Sequence, residues 1–277
     1  IFNKSCLLRC TEEALNRCEG FPTRVHVSTN DSLSSDYPVF ITATQQKGVS
    51  SWELPLLVQT HSQLLTFKDM ARTLCPHDAG PDIKSITPPT VHVTTESPYN
   101  TSVNIKLRRV TDFYVQLDKE VTLNVTPSTP KYYYFSFDQT PWNVTDYNHK
   151  FKRLFPSSFN YTIPKNVVVI IESNEDICAM VSIQNNTCPV FDNEQDVTFQ
   201  GYHLTMITKG GITLTQTMFP YGFYVVFIVK ESDVECTGVS ETASVVDTFA
   251  GRSVAHIIAL CSTHTSLAAL CPAPARY

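Results

Sequence analysis

The chain has 277 residues, of which 17% are charged, and carries a formal net charge of −5 at pH 7. Its length exceeds one small sandwich and suits two domains of ordinary size, each with room for its own core. The acidic balance argues against sequence-independent attraction to phosphate backbones, which draws on a basic surface, and no uncharged apolar run reaches the ~18 residues of a membrane helix.

Strand-favouring residues dominate. The 12 Tyr and 16 Phe outnumber the 9 Gly, and Val, Ile and Thr recur throughout, so the expected class is all-β. The first residue is Ile1 rather than Met, which predicts a processed chain or a fragment. Residues 1–20 form an atypical N-terminal segment, with helical spacing over 10–18. A first β-sandwich is expected over 21–111, from strands at 23–29, 38–44, 52–59, 90–95 and 102–110, with a second helical stretch at 67–74. The boundary is placed at Thr111 and Asp112, and a second β-sandwich follows over 112–238, with strands at 121–126, 131–137, 167–172, 178–184, 211–217 and 223–230.

Within 121–126, Val121, Leu123 and Val125 alternate with Thr122, Asn124 and Thr126, so the polar set faces outward. The runs 167–171 and 224–229 are continuously apolar, as strands covered on both faces are. Pro-rich stretches at 87–89, 127–130 and 155–164 read as turns or loops. From Val239 small residues replace alternation, so 239–277 reads as a weakly structured tail. Its apolar stretch 254–270 is interrupted by His256, Ser262, Thr263, His264, Thr265 and Ser266, which hydrocarbon would not accept.

Seven Asn-x-Ser/Thr triplets begin at Asn3, Asn30, Asn100, Asn124, Asn143, Asn160 and Asn185. Such triplets acquire glycan only in the secretory pathway, so a glycoprotein exposed to an oxidising compartment is expected. In that setting the 9 cysteines read as disulfide candidates, with at least one left over, and no CxxC spacing supports zinc. No Gly-x-Ser-x-Gly elbow, HExxH or phosphate-cradling glycine loop is present, so neither an enzyme nor a cofactor nor a metal is expected. The acidic stretch 191–196 lacks the glycine and distal glutamate of a calcium loop and reads as a solvated turn.

Two basic clusters stand out. Lys106 and Arg108 share one face of the strand at 102–110; Val103, Ile105 and Leu107 share the other, joined by Arg109 at the strand end. The second cluster, Lys150, Lys152 and Arg153 around Phe151, interleaves an aromatic with charge but lies between the sequons at Asn143 and Asn160.

A longer pattern runs from Cys178-Ala-Met-Val-Ser-Ile-Gln184 through Cys188-Pro-Val-Phe-Asp192, Val197-Thr-Phe-Gln-Gly-Tyr202 and Thr205-Met-Ile-Thr-Lys209. It continues through Ile212-Thr-Leu214 and Phe219-Pro220 to Phe223-Tyr-Val-Val-Phe-Ile-Val-Lys230 and Cys236. It resembles the extracellular region of the systemic RNA interference defective (SID) transmembrane family. Collinear likeness at Arg72-Thr-Leu-Cys75, Asn100-Thr-Ser102 and Asp112-Phe113 extends the resemblance over about residues 23–238. Residues 6–19 and 239–277 resemble nothing in that family, and Gly210 and Gly211 stand where its members carry an additional lysine.

The resemblance implies two tandem jelly-roll-like β-sandwiches outside the membrane. A membrane-spanning region associated with double-stranded RNA transport would follow, the assembly would be a homodimer, and the setting would be the plasma-membrane exterior or the lysosomal lumen. Because the family's linker to the first membrane helix is missing after Gly238, a truncated product without its own channel is expected. Of the cysteines inside the pattern, the preferred pairs are Cys178 with Cys236 and Cys75 with Cys188, leaving Cys178 with Cys188 open as an alternative. Two functions compete: capture of double-stranded RNA by phosphate contacts, with Lys106, Arg108 and Arg109 as the preferred patch, or an oligomerisation and adhesion module that binds no nucleic acid. If RNA binds, protonation of histidines predicts tighter binding in acid.

Overall fold

The computed structural model describes residues 2–7, 21–45, 48–59, 64–76, 89–137, 166–199, 202–230, 233–237 and 254–262. Strands dominate, and their extended pairings are antiparallel; an isolated parallel bridge joins Tyr114 and Tyr134. The all-β class is therefore met.

Nine strands precede the connection at 110–120: β1 (Phe2–Leu7), β2 (Thr23–Ser28), β3 (Val39–Gln45), β4 (Gly48–Leu54), β5 (Leu56–Gln59), β6 (Leu64–Phe67), β7 (Asp69–Thr73), β8 (Thr90–Thr95) and β9 (Asn104–Arg109). They form sheets in the orders β1-β8-β3-β4 and β7-β2-β9, with β5-β6 as a separate pair. Alternation explains how the two larger sheets share a core. Val25 and Val27 of β2, Met70 of β7, Val39 and Ile41 of β3 and Trp52 and Leu54 of β4 all enter one buried cluster, while Arg24 and His26 point the other way.

After the connection come β10 (Val121–Val125), β11 (Lys131–Phe135), β12 (Asn166–Ser173), β13 (Ala179–Asn185), β14 (His203–Met206), β15 (Lys209–Thr215), β16 (Phe223–Val229) and β17 (Val254–Ser262). Two short helices, α1 (Glu194–Thr198) and α2 (Val234–Thr237), accompany them. The sheets β10-β17-β12-β15 and β11-β16-β13-β14 each contribute to one cluster, with Leu123, Val169, Ile171 and Leu214 from the first and Phe135, Val181, Ile183, Phe223 and Phe227 from the second. Among the described residues no sheet mixes strands from the two sides of the connection.

β16 is buried along its whole length, because Phe113, Val110, Met180 and Val197 cover the outer face through Tyr224, Val226 and Ile228. β12 differs from its expectation: Val167, Val169 and Ile171 are buried, whereas Val168 and Ile170 are only half-buried, so one face alone is fully covered.

Four expectations are corrected. The helical stretch at 67–74 is instead the end of β6 followed by strand β7. Its Phe67, Met70, Ala71 and Leu74 mimic a helix stripe because the strand is buried on both faces, Met70 toward the core and Ala71 toward the second group of strands. The weakly structured tail contains β17, which lies between β10 and β12. Residues 2–7 of the atypical segment pair with β8. The single strand at 52–59 is two, divided at Pro55, which has no amide to continue a ladder. The helix expected over 10–18 lies outside the described residues, and no helix among the described residues is long and apolar enough to cross a membrane.

Candidate nucleic-acid interface

The basic strip begins on β9, an edge strand held by β2 alone. Antiparallel register places Lys106 opposite His26 and Arg108 opposite Arg24, and residues directly opposite share a face. Lys106 and Arg108 are exposed. Arg24 is half-buried: its guanidinium donates to Thr73 Oγ1 at 2.8 Å, Pro130 O at 2.9 Å and Thr129 O at 3.2 Å, so its charge is held in place by the protein. Burial, helped by Arg72 and Arg108, lowers its pKa to about 10, against the pull of Asp192.

Lys131, the first residue of β11, extends the strip. Burial and then Arg24 lower its pKa, with Arg108 adding and Asp112 opposing. Like charges gathered this closely repel, and an arriving phosphate relieves that repulsion.

Arg109 is turned elsewhere. Its guanidinium carbon lies 4.0 Å from the Phe21 ring centroid, and Phe21 in turn meets Tyr114 edge-on at 5.9 Å. The Arg109 charge thus caps an aromatic cluster. Lys150, Lys152 and Arg153 lie outside the described residues, as do the sequons at Asn143 and Asn160.

Asn30, Asn100, Asn124 and Asn185 are exposed, and Asn3 falls within β1. Asn30 and Asn100 lie beyond the end of β2 remote from Arg24, where Thr29 donates to Ser102 O and Ser102 N–H donates to Asp31. Asn124 stands on β10 in the other group of strands.

The strip ends at a seam between the two groups. Cys75 is bonded to Cys188 across it, and Cys178 is bonded to Cys236 within the second group. Arg72 Nε stands 3.6 Å from Asp192 Oδ1, Ala71 N–H donates to Ser128 O and Tyr132 OH donates to Thr73 O, both at 3.1 Å. The acidic stretch is solvated only in part: Phe191, Asn193, Gln195 and Asp196 are exposed, but Asp192 is drawn into the seam, and Glu194 stands 3.1 Å from the buried Lys230 ammonium. Burial raises the Asp192 pKa even though Arg72 and Arg24 draw it down.

Sequence reasoning missed Arg24, His26 and Lys131. The signal was available in part, since Arg24 and His26 alternate with Val25 and Val27; only the register of β2 on β9 makes them neighbours of Arg108 and Lys106. At Gly210 an added Cβ would fall 2.9 Å from Leu204 Cδ1 and 3.0 Å from the Met206 sulfur, so a larger residue there requires those two side-chain ends to move. Among the described residues no three metal-binding side chains converge.

Comparison with known proteins gives a consistent result. Residues 128–263 match the family model for the dsRNA-gated channel SID-1. That match passes Gly238, so the part of the tail up to residue 263 belongs to the family pattern. SID1 transmembrane family member 1 of Mus musculus is 30% identical over 222 residues, covering 78% of this chain and 24% of the relative. Its Homo sapiens counterpart is 29% identical over 223 residues, with 78% and 24% covered. Cholesterol uptake protein 1 of Caenorhabditis elegans is 27% identical over 217 residues, with 77% and 24% covered. The chain thus spans about a quarter of the length of these relatives.

Proposed function

The chain belongs to the SID1 transmembrane family, and from that premise we propose that it is the extracellular or luminal part that captures double-stranded RNA by phosphate contacts for a membrane-spanning region of the same protein. The observation that carries this reading is the strip Lys106, Arg108, Arg24 and Lys131, built by register on an otherwise acidic chain of net charge −5. A duplex backbone needs only such a local track, and A-form RNA is recognised through phosphates and 2′-hydroxyls because its major groove excludes side chains. The disulfides and the family membership fit an extracellular or luminal setting. The plasma membrane or lysosome is the proposed compartment and a homodimer the proposed assembly. No catalytic role is proposed.

The test is fluorescence anisotropy with a duplex of about 30 base pairs, long enough to cover two successive minor grooves. Replacing Lys106 and Arg108 together with Ala should weaken binding and lower the salt slope by up to about two units. Titrations at about pH 7.4 and 5.5 test the tighter binding in acid that the sequence leads one to expect. Absence of binding at both pH values would favour the oligomerisation and adhesion module.

A further inference from the structure

The strip is carried by both groups of strands. Lys106, Arg108 and Arg24 precede the connection, and Lys131 follows it. Arg24 is tied to the carbonyls of Thr129 and Pro130, the two residues before Lys131, while Arg108 is the in-register neighbour of Arg24. The place of Lys131 in the strip therefore depends on the seam being closed.

Among the described residues one disulfide crosses the seam, Cys75–Cys188, with both cysteines half-buried. Beside it the Pro189 ring lies against Gly48, where an added Cβ would come within 2.7 Å of Pro189 Cδ. Other ties among the described residues are the Arg72–Asp192 pair, the Arg24 bonds to the Thr129 and Pro130 carbonyls, and the hydrogen bonds from Ala71 N–H and Tyr132 OH. Cys178 of the other disulfide is fully buried and its bond joins two parts of the second group, so the two bonds differ in access and in what they hold.

We propose that the Cys75–Cys188 disulfide is a redox-sensitive positioning device for the phosphate strip: closed, it holds Lys131 beside Arg24 and Arg108 as one track, and opened by a dithiol it lets the track divide at the seam. This inference rests on the phosphate-binding reading above. In the exchange the dithiol is oxidised to its own disulfide, and its two electrons and two protons pass to Cys75 and Cys188, which become thiols. Repulsion among Lys131, Arg24 and Arg108 then favours separation. The divided halves bind one backbone with fewer simultaneous contacts.

The experiment takes the folded, glycosylated chain and treats it with a mild dithiol, using peptide mapping to establish that Cys75 and Cys188 are thiols while Cys178–Cys236 is intact. Duplex RNA titrations over a range of salt follow. Closed protein should lose about one unit of salt slope on Lys131→Ala, since one phosphate contact is removed. Reduced wild type should show that same lower slope, and Lys131→Ala should lower it no further. A Cys75→Ser/Cys188→Ser double variant gives the same comparison without reductant, and reduction after folding covers the case in which it does not fold. If closed and reduced proteins bind with equal slope and affinity, the positioning role is overturned while the RNA reading stands. If closed wild type binds no duplex, the RNA reading itself fails.

Discussion

The sheet β11-β16-β13-β14 and the sheet β7-β2-β9 are treated oppositely by the rest of the molecule. The first is covered on both faces: Phe135, Phe223 and Phe227 enter the inner cluster, and Tyr132, Tyr224 and Ile228 lie under Phe113, Val110 and Val197. The second buries Val25, Val27, Met70 and their neighbours on one side; on the other, Ala71 is buried and Arg24 half-buried against the second group of strands, while Lys106 and Arg108 stay exposed. The difference separates support from recognition. A sheet enclosed on both faces is a fixed body against which the seam closes, and a half-covered sheet keeps a charged face for a ligand.

The largest expected effect lies in the enclosed sheet. Phe227→Ala, at a site 1% exposed, should cost about 3–5 kcal/mol by chemical denaturation. Ile105→Ala, at the half-buried position of the otherwise exposed β9, should cost about 1–2 kcal/mol, because less transfer energy is lost and water fills the gap. Equal losses would break the contrast. Next comes Glu194→Ala, which removes the carboxylate 3.1 Å from the Lys230 ammonium, a side chain 3% exposed. A cost of about 2 kcal/mol is expected, below that of a fully buried pair because Glu194 keeps some solvent. Changing Lys230 to Met in the same chain should recover much of it.

How much of this was legible in sequence depends on how each strand is covered. β8 at 90–95 was read to the residue, and β10 nearly so, because in both strands apolar residues alternate with Thr, His or Asn along the chain. β7 was misread because a strand pressed against a second body loses that alternation, and β17 because His256 and the small residues Ala255, Ala259 and Ser262 break up its apolar pattern. The candidate site was half legible. Lys106 and Arg108 advertise themselves as a pair on one strand, whereas Arg24 and Lys131 join them through register and the seam, and both are relations between segments distant in the chain. Asp192 looked solvated because nothing local indicates that Arg72 will stand 3.6 Å away.

The enclosed sheet should also answer to alkali. Burial raises Tyr133 and Tyr224 to about 12, with Asp112 adding at Tyr133 and Tyr134 adding at Tyr224. Folded-state values above the ordinary 10.0 mean that the native chain holds these protons more tightly than the unfolded chain. The stability they contribute is thus complete below pH 10 and lost as pH rises toward about 12. Tyr133→Phe and Tyr224→Phe should each flatten the fall of Tm over that interval, and each should remove a tyrosinate absorbance step near its upper end.

The smallest effect sharpens the contrast at the seam itself. Asp192 has its pKa raised by burial, while Arg72 and Arg24 pull it down without prevailing. A raised carboxyl in the folded state means that folding favours the protonated form. The associated stability is present in full below the unfolded carboxylate range and is lost as pH climbs through the raised folded value. Asp192→Asn cannot titrate and escapes that loss. The Tm of the variant relative to wild type should therefore rise between about pH 3 and pH 7, whatever the offset from the altered contact with Arg72. A relative Tm that falls with pH would mean that attraction to Arg72 and Arg24 outweighs desolvation. The seam would then be an ion-paired clamp in its own right, less dependent on the Cys75–Cys188 bond for closure.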